Sequence, residues 1–443
     1  MGMVLLDSFR LKTRSWLLVN AGPRLAALVT AALLWGGAAG LGQEPPPAGA
    51  SHVANGDTGL SKPKRGMKAA EEALPPGAHE LKLGDLAPDF SLRGVDGQVH
   101  TLAEFKGAKA LLVIFLSNHC PYCHAMEGRL AQLLADTRGG GLAVVAINPN
   151  HPEAIRLDEL GYSKYNDSYE EMKLYAQEQK FMFPYLYDGE RQVTAKAYGC
   201  LATPEVFLFD AERRLRYRGR FDDSRFPGPS TVTSADARNA VEALLAGRPV
   251  PVSETKPMGC STKWAAKQAE VAQVQAEWNS APVELEEVDA AGVKALAGNP
   301  TRRFRLFNVW ATWCAPCVQE FPALVSLSRR LGNRDFELIT LSVDDPKDRP
   351  KVQRFLDRQH VSLSNRLRRL VTREGRRTNN YLFTGAHTEA LLQALDPQAP
   401  GPVPYTVLIA PGGKVVYRHA GELDAAELQD KVLAALGPYY EQN

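Results

Sequence analysis

The chain has 443 residues, 44% of them hydrophobic and 23% charged, with a formal net charge of +2. That length calls for two or three domains, and the composition is that of ordinary globular protein. A balance so close to neutral gives no electrostatic basis for a nucleic-acid or membrane-surface partner, and six cysteines are too few for a disulfide-stapled scaffold of this size.

Arg10, Lys12, Arg14 and Arg24 precede an apolar run, Leu25 to Leu41, whose end is rich in small residues. Residues 1–42 are expected to be a cleaved export signal or an uncleaved membrane anchor. The rest of the chain is then periplasmic or otherwise extracytoplasmic, touching a membrane only through that N-terminus. Residues 43–79 are rich in Pro, Gly, Ala and Ser without periodicity and read as a disordered linker.

A first globular unit is expected over 80–264. Val95-Asp96-Gly97-Gln98 is a hairpin-turn signal. Ala110–Ser117 is a continuous apolar run suited to a buried central strand, and Cys120-Pro121-Tyr122-Cys123 follows it directly, opening a helical pattern through Leu134. Leu142–Asn148 reads as a second buried strand, Tyr169–Gln179 and Arg191–Tyr198 as helices. After Thr203-Pro204 come strands at Glu205–Asp210 and Arg214–Arg218, and a helix at Ala235–Leu245. A helical connector, 265–281, leads to a second unit, 282–443, that repeats the order. Strand Arg305–Trp310 precedes Cys314-Ala315-Pro316-Cys317 and a helix to Leu331; then come strand Phe336–Val343 and helix Arg349–Gln359. Val403-Pro404 precedes strands Tyr405–Ala410 and Lys414–Arg418, and a helix over Ala425–Leu436 closes the unit. Cys120 and Cys314 lie 194 residues apart, the spacing of a duplicated domain rather than of a solenoid.

Disulfide exchange needs an attacking thiolate and a second thiol near enough to resolve the mixed disulfide. Two residues between cysteines at a helix start provide this. The first sulfur meets the unpaired N–H groups and positive end of the helix, which favour its thiolate, and proline suits the first helical turn because its missing N–H is not needed there. Cys120 and Cys314 are therefore candidate nucleophiles, with Cys123 and Cys317 as resolving thiols. Each pair follows its own buried strand, so the two are not expected to converge on a zinc ion; no metal or other cofactor is expected. His119 and His124 flank the first pair, and a protonated His119 would stabilise the Cys120 thiolate. Cys200 and Cys260 remain as a candidate structural disulfide or as two separate thiols. Asp158, Glu159, Asp167, Asp222 and Asp223 read as solvated acidic loops.

Trp310-Ala311-Thr312-Trp313-Cys314-Ala315-Pro316-Cys317, followed by Glu320-Phe321-Pro322, resembles the exported TlpA/ResA-type thiol–disulfide oxidoreductases over about Pro282–Gly437. The resemblance implies a cis-proline at Pro404 beside the disulfide, and a role for Glu320 in moving the resolving thiol's proton. The stretch Asn365–Asp396, with Arg366, Arg368, Arg369, Arg373, Arg376 and Arg377, is longer and more basic than that family's core and reads as a solvated face or a dock for an acidic partner. In the first unit, Ala87-Pro88-Asp89-Phe90-Ser91-Leu92, the Cys-Pro-Tyr-Cys pair, Thr203-Pro204 and Gly259-Cys260-Ser261-Thr262-Lys263-Trp264 resemble the AhpC/TSA peroxiredoxin-like branch of the same fold. Ser117 fits that branch's hydroxyl position, but Val113 stands where its peroxidases carry proline. This shifts the expectation from peroxide reduction to disulfide exchange.

The resemblances imply an α/β protein with two thioredoxin-like folds in tandem, each a central mixed sheet flanked by helices. They imply substrate contacts at Thr203, Pro204, Val403, Pro404 and Trp313. Protein thiols and disulfides are the implied substrates, apocytochrome c among the candidates, with a membrane-bound or soluble thiol reductant as partner. The alternatives are a thiol peroxidase using Cys120 and a non-catalytic tandem binding module.

Overall fold

A computed structural model describes residues Leu74–Pro438. The expected export or anchor segment and most of the expected linker lie outside the described residues. The last part of that linker is not disordered: Ala78 N donates to Pro75 O (3.0 Å) in a turn, and His79 N donates to Lys196 O (2.8 Å). Among the described residues no helix is long and apolar enough to cross a membrane.

The first domain is built on strands β1 (Ser91–Gly94), β2 (Val99–Thr101), β3 (Ala110–Phe115), β4 (Leu142–Asn148), β5 (Tyr185–Tyr187), β6 (Ala202–Thr203), β7 (Glu205–Phe209), β8 (Leu215–Gly219) and β9 (Cys260–Ser261). Its helices are α1 (Pro121–Asp136), α2 (Tyr169–Gln179), α3 (Val193–Tyr198) and α4 (Asp236–Leu245). Seven strands form one mixed sheet in the order β2-β1-β5-β4-β3-β7-β8, and β6 pairs with β9 apart from it. Strands β3, β4 and β5 are parallel, whereas β7 runs antiparallel to β3. Every residue of β3 is buried, as a continuous apolar run at the centre of a sheet covered on both faces requires. One core lies between this sheet and α1, α2 and α4. A second lies on the opposite face, under α3 and Trp264.

Helix α5 (Gln268–Ser280) joins the domains, touching the first through Gln268 Nε2 to Glu153 Oε2 (2.7 Å) and the second through Ser362 Oγ to Trp278 O (3.1 Å). The second domain has strands β10 (Glu286–Val288), β11 (Phe304–Trp310), β12 (Phe336–Ser342), β13 (Asn380–Phe383), β14 (Tyr405–Ile409) and β15 (Val415–Ala420). Its helices are α6 (Ala290–Ala297), α7 (Ala315–Arg330), α8 (Arg349–Gln359), α9 (Asn365–Arg373), α10 (Thr388–Leu395) and α11 (Ala425–Leu436). The sheet order is β10-β13-β12-β11-β14-β15, with the first four parallel, β14 antiparallel to β11 and β15 antiparallel to β14. The two domains meet where the end of α7 caps a loop of the first: Arg330 Nε donates to Leu160 O (3.0 Å) and Arg334 Nη1 to Gly161 O (2.8 Å). A Cβ on Gly161 would stand 2.7 Å from Arg330 O, so a glycine is what lets the two segments approach there.

The basic stretch Asn365–Asp396 is not a solvated face throughout. It contributes β13, which sits inside the sheet, hydrogen-bonded to both β12 and β10. Arg376 is drawn inward by Glu337, a fully buried carboxylate that accepts from Arg305 Nε (2.7 Å), Arg376 Nη2 (2.9 Å) and Arg303 Nη2 (3.2 Å). Burial alone would raise the Glu337 pKa; the three guanidiniums outweigh it and hold the carboxyl below its ordinary value. A group lowered in this way contributes stability above the carboxylate range of the unfolded chain and loses it as pH falls through the native pKa. Glu337→Gln should therefore cost roughly 1–3 kcal/mol in urea unfolding at neutral pH, because it removes charged hydrogen bonds while Arg303, Arg305 and Arg376 each keep Glu374 as a partner. That deficit should close on acidification, and a deficit independent of pH would refute the assignment.

Candidate active centres

Both cysteine pairs arise from the same local construction. In the first domain β3 ends at Phe115, and Cys120 forms the N-cap of α1 in extended conformation (φ −81°, ψ 117°) with Pro121 following. Cys123 N and His124 N both donate to Cys120 O (3.0 and 3.2 Å). In the second, β11 ends at Trp310 and Cys314 is the N-cap of α7 (φ −87°, ψ 103°). Cys314 and Cys317 are joined in a disulfide, and Cys314 Sγ accepts from Cys317 N (3.4 Å). Cys120 and Cys123 are free thiols, both fully buried.

A buried aspartate organises each approach to the helix at the same offset. Asp167 Oδ1 accepts from Asn118 N (2.7 Å), two residues before Cys120, and Asp344 Oδ2 accepts from Thr312 N (2.9 Å), two residues before Cys314. Each arrives from the connection after the strand next to the central one. Asp167 is fully buried, not a solvated loop residue, and Asp222 is likewise buried, bonded to Arg129 Nε (2.6 Å). Asp167 Oδ2 also pairs with His119 Nδ1 (2.8 Å) and accepts from Asn150 Nδ2 (2.7 Å). His119 is buried, which by itself disfavours its cation, but the charge and hydrogen bond of Asp167 more than compensate and raise its pKa. His124 points elsewhere, its Nε2 lying 2.7 Å from Asn118 O.

For Cys120, burial opposes ionisation. Hydrogen bonds from Cys123 and Cys260 and the charge of His119 prevail, and the thiol is held well below its ordinary pKa. As a thiol, Cys120 Sγ donates to Thr203 O (3.0 Å); as a thiolate it accepts from its two sulfur neighbours. Cys123 is shifted the other way, well above the ordinary value, by burial and by its bond to Cys120. Its Sγ lies 4.0 Å from Ser117 Oγ, which in turn is 3.0 Å from Thr203 Oγ1.

The peptides Thr203-Pro204 and Val403-Pro404 are both cis. Thr203 touches Cys120, and Val403 packs in the cluster that holds Cys314 and Cys317. Trp313 is 64% exposed immediately before Cys314. Glu320, one helical turn beyond Cys317, is buried. It accepts from Asn308 Nδ2 (2.9 Å) and Leu423 N (3.3 Å), and burial raises its pKa against those bonds. Its flank lines a cleft of about 330 Å³ with Gln319, Arg330 and Glu422.

Cys200 and Cys260 are not bonded to each other. In the antiparallel β6–β9 pair Thr203 stands opposite Cys260, which brings Cys260 to Cys120, while Cys200 Sγ lies against Thr262 Oγ1 (3.4 Å) in the second core. The sequence reading missed Asp167, Asp344 and the neighbour of Cys120. The Gly259-Cys260 dipeptide was the available signal for the last, since a Cβ on Gly259 would stand 2.1 Å from Thr203 O.

Asp167→Asn keeps an acceptor for Asn118 N but removes the charge that holds His119 protonated. The pH midpoint of Cys120 alkylation should then move upward, with Cys314 in the reduced chain as an unshifted control. An unmoved Cys120 midpoint would show that the histidine does not act on the sulfur.

Comparison with known proteins follows the same division. Residues 83–218 match the model of the AhpC/TSA family and residues 281–435 match that of Redoxin. The thiol-disulfide oxidoreductase ResA of Halalkalibacterium halodurans is 27% identical over 139 residues, 31% of this chain and 59% of that protein. Peroxiredoxin Bcp of Escherichia coli K12 is 31% identical over 75 residues, 17% of this chain and 48% of that protein. The chain thus spans less than two thirds of the length of either relative. A hypothetical protein of Sinorhizobium meliloti 1021, known from its crystal structure, is 42% identical, covering 43% of this chain and 98% of that one with a TM-score of 0.38. The chain carries two thioredoxin-like domains in tandem, the first matching the AhpC/TSA family and the second Redoxin.

Proposed function

We propose that this protein is a thiol–disulfide oxidoreductase acting on protein disulfides through two centres, Cys120/Cys123 and Cys314/Cys317. The observation that carries the reading is the repeated construction: a buried strand, a cysteine at the N-cap of the next helix, and its mate one turn in. In each centre the first thiolate attacks a substrate disulfide, a mixed disulfide forms, and the substrate's leaving thiolate departs. The second cysteine then attacks the first, releasing the reduced substrate and leaving an oxidised pair. Glu320 is proposed to take the proton of Cys317 as that thiol becomes nucleophilic; a raised pKa suits a carboxyl to that exchange. Exposed Trp313, Thr203-Pro204 and Val403-Pro404 are proposed as the surfaces that receive the substrate chain.

Export to an extracytoplasmic compartment belongs to this proposal, supported by the basic and apolar N-terminal sequence. Apocytochrome c is one candidate substrate there, and a membrane-bound or soluble dithiol protein the candidate reductant. A thiol peroxidase is the second reading, favoured by the AhpC/TSA match and by the lowered Cys120 pKa. In it a peroxide oxygen passes to Cys120 Sγ, an alcohol or water leaves, and Cys123 condenses with the sulfenic acid to release water.

Insulin reduction by the chain without its first 73 residues separates these readings. Cys120→Ser and Cys314→Ser should each remove part of the activity, and the double variant should lower it by at least about a hundredfold. Hydrogen peroxide consumption lost only in Cys120→Ser, with little insulin reduction by the unmutated chain, would favour the peroxidase. Neither activity would leave a binding module.

A further inference from the structure

The third sulfur beside the first pair has no part in the chemistry above. Cys260 opposes Thr203 across the β6–β9 ladder, and directly opposed residues of antiparallel strands project to the same face within a few ångströms. On that face Thr203 Oγ1 reaches Ser117, which lies against Cys123, and the Thr203 carbonyl touches Cys120 Sγ. Cys260 packs on the cluster that contains Cys120 and Cys123. The segment is fastened on both sides. Gly259 lies so close to Thr203 O and Pro204 N that a Cβ would not fit, and beyond Cys260, Thr262 N donates to Leu201 O (3.0 Å) and Lys263 Nζ pairs with Glu159 (2.7 Å). Cys120 and Cys123 are fully buried, whereas Cys260 is half-buried.

We propose that Cys260 is a second resolving thiol for Cys120, giving the first domain two alternative disulfides, Cys120–Cys123 and Cys120–Cys260. The inference rests on Cys120 being the disulfide-exchanging nucleophile of its domain. With Cys120 in a mixed disulfide to a substrate thiol, the Cys260 thiolate attacks Cys120 Sγ. The new sulfur–sulfur bond forms, the old one breaks, the substrate leaves as a thiolate that takes up a proton, and the two cysteines have together lost the two electrons the substrate gained. One practical consequence is that Cys123→Ser alone does not trap a substrate on Cys120.

The test uses the full chain carrying Cys314→Ser, Cys317→Ser and Cys123→Ser, which leaves Cys120, Cys200 and Cys260. Glutathione disulfide is the oxidant, itself reduced to two glutathione thiols as the protein disulfide closes. The expected product retains no glutathione, yields a Cys120–Cys260 linked peptide, and has Cys200 as its one alkylatable thiol on denaturation. Adding Cys260→Ser should make the Cys120 glutathione adduct persist at least about tenfold longer, as expected on removing an intramolecular nucleophile. A stable adduct on Cys120 with Cys260 still free, or a bond from Cys260 to Cys200, overturns the proposal. Cys123→Ala repeats the measurement if a serine hydroxyl in that apolar position unfolds the chain. The parent with only Cys314→Ser and Cys317→Ser must close Cys120 on Cys123 or on Cys260; a parent that closes neither counts against disulfide exchange in this domain, not against Cys260 alone.

Discussion

Everything the two centres can do depends on holding a sulfur still at the first turn of a helix while keeping that turn out of water. The unpaired N–H groups there favour a thiolate, but burial opposes one. At Cys120 the conflict is resolved by surrounding the sulfur with groups that favour its charge, namely two neighbouring thiols and His119. His119 can contribute a positive charge only because Asp167 is buried with it. The carboxylate that tunes the histidine also anchors the backbone at Asn118, so position and ionisation are set by one residue.

The second domain uses the same frame with different surroundings. Asp344 anchors Thr312 as Asp167 anchors Asn118, but no histidine occupies the place of His119; Trp313 stands there, largely exposed. The groups with shifted protonation lie deeper, at Glu320, which faces a cleft. One scaffold thus carries a shielded, thiol-rich centre and a more open one, and α7, which bears the second pair, ends in the contact that joins the domains. Under the proposed function these surroundings permit different reduction potentials, and a gap of about 30 mV is worth about 1.4 kcal/mol for a two-electron couple.

What could be read from the sequence was local. Ala110–Ser117 announces a buried strand because a continuous apolar run of that length has few other uses; Arg305–Trp310 is broken by Asn308 and is placed by the Cys-x-x-Cys pair that follows it, which identifies the helix start. Leu142–Asn148, Tyr169–Gln179, Arg349–Gln359 and Ala425–Leu436 form the elements their periodicity indicates. What escaped depends on residues far apart in the chain. Nothing near Asp167 says that it will meet His119 forty-eight positions away, and an acid between polar neighbours looks solvated. Arg376 reads as surface charge until Glu337 draws it inward. β13 is only four residues long, and its basic flanks hide it. Cys200 and Cys260 look like a pair by elimination, yet the register of a two-residue ladder gives Cys260 to Cys120 instead.

The most direct test of the central claim is the redox titration of each couple in turn, in the chain without its first 73 residues and with the other pair replaced by serine. Equilibration against reduced and oxidised glutathione, with thiols trapped by acid and counted by mass, should give one two-electron transition for each couple, closing within the molecule. A couple that accumulates glutathione adducts or intermolecular dimers and never forms its internal bond would contradict the account.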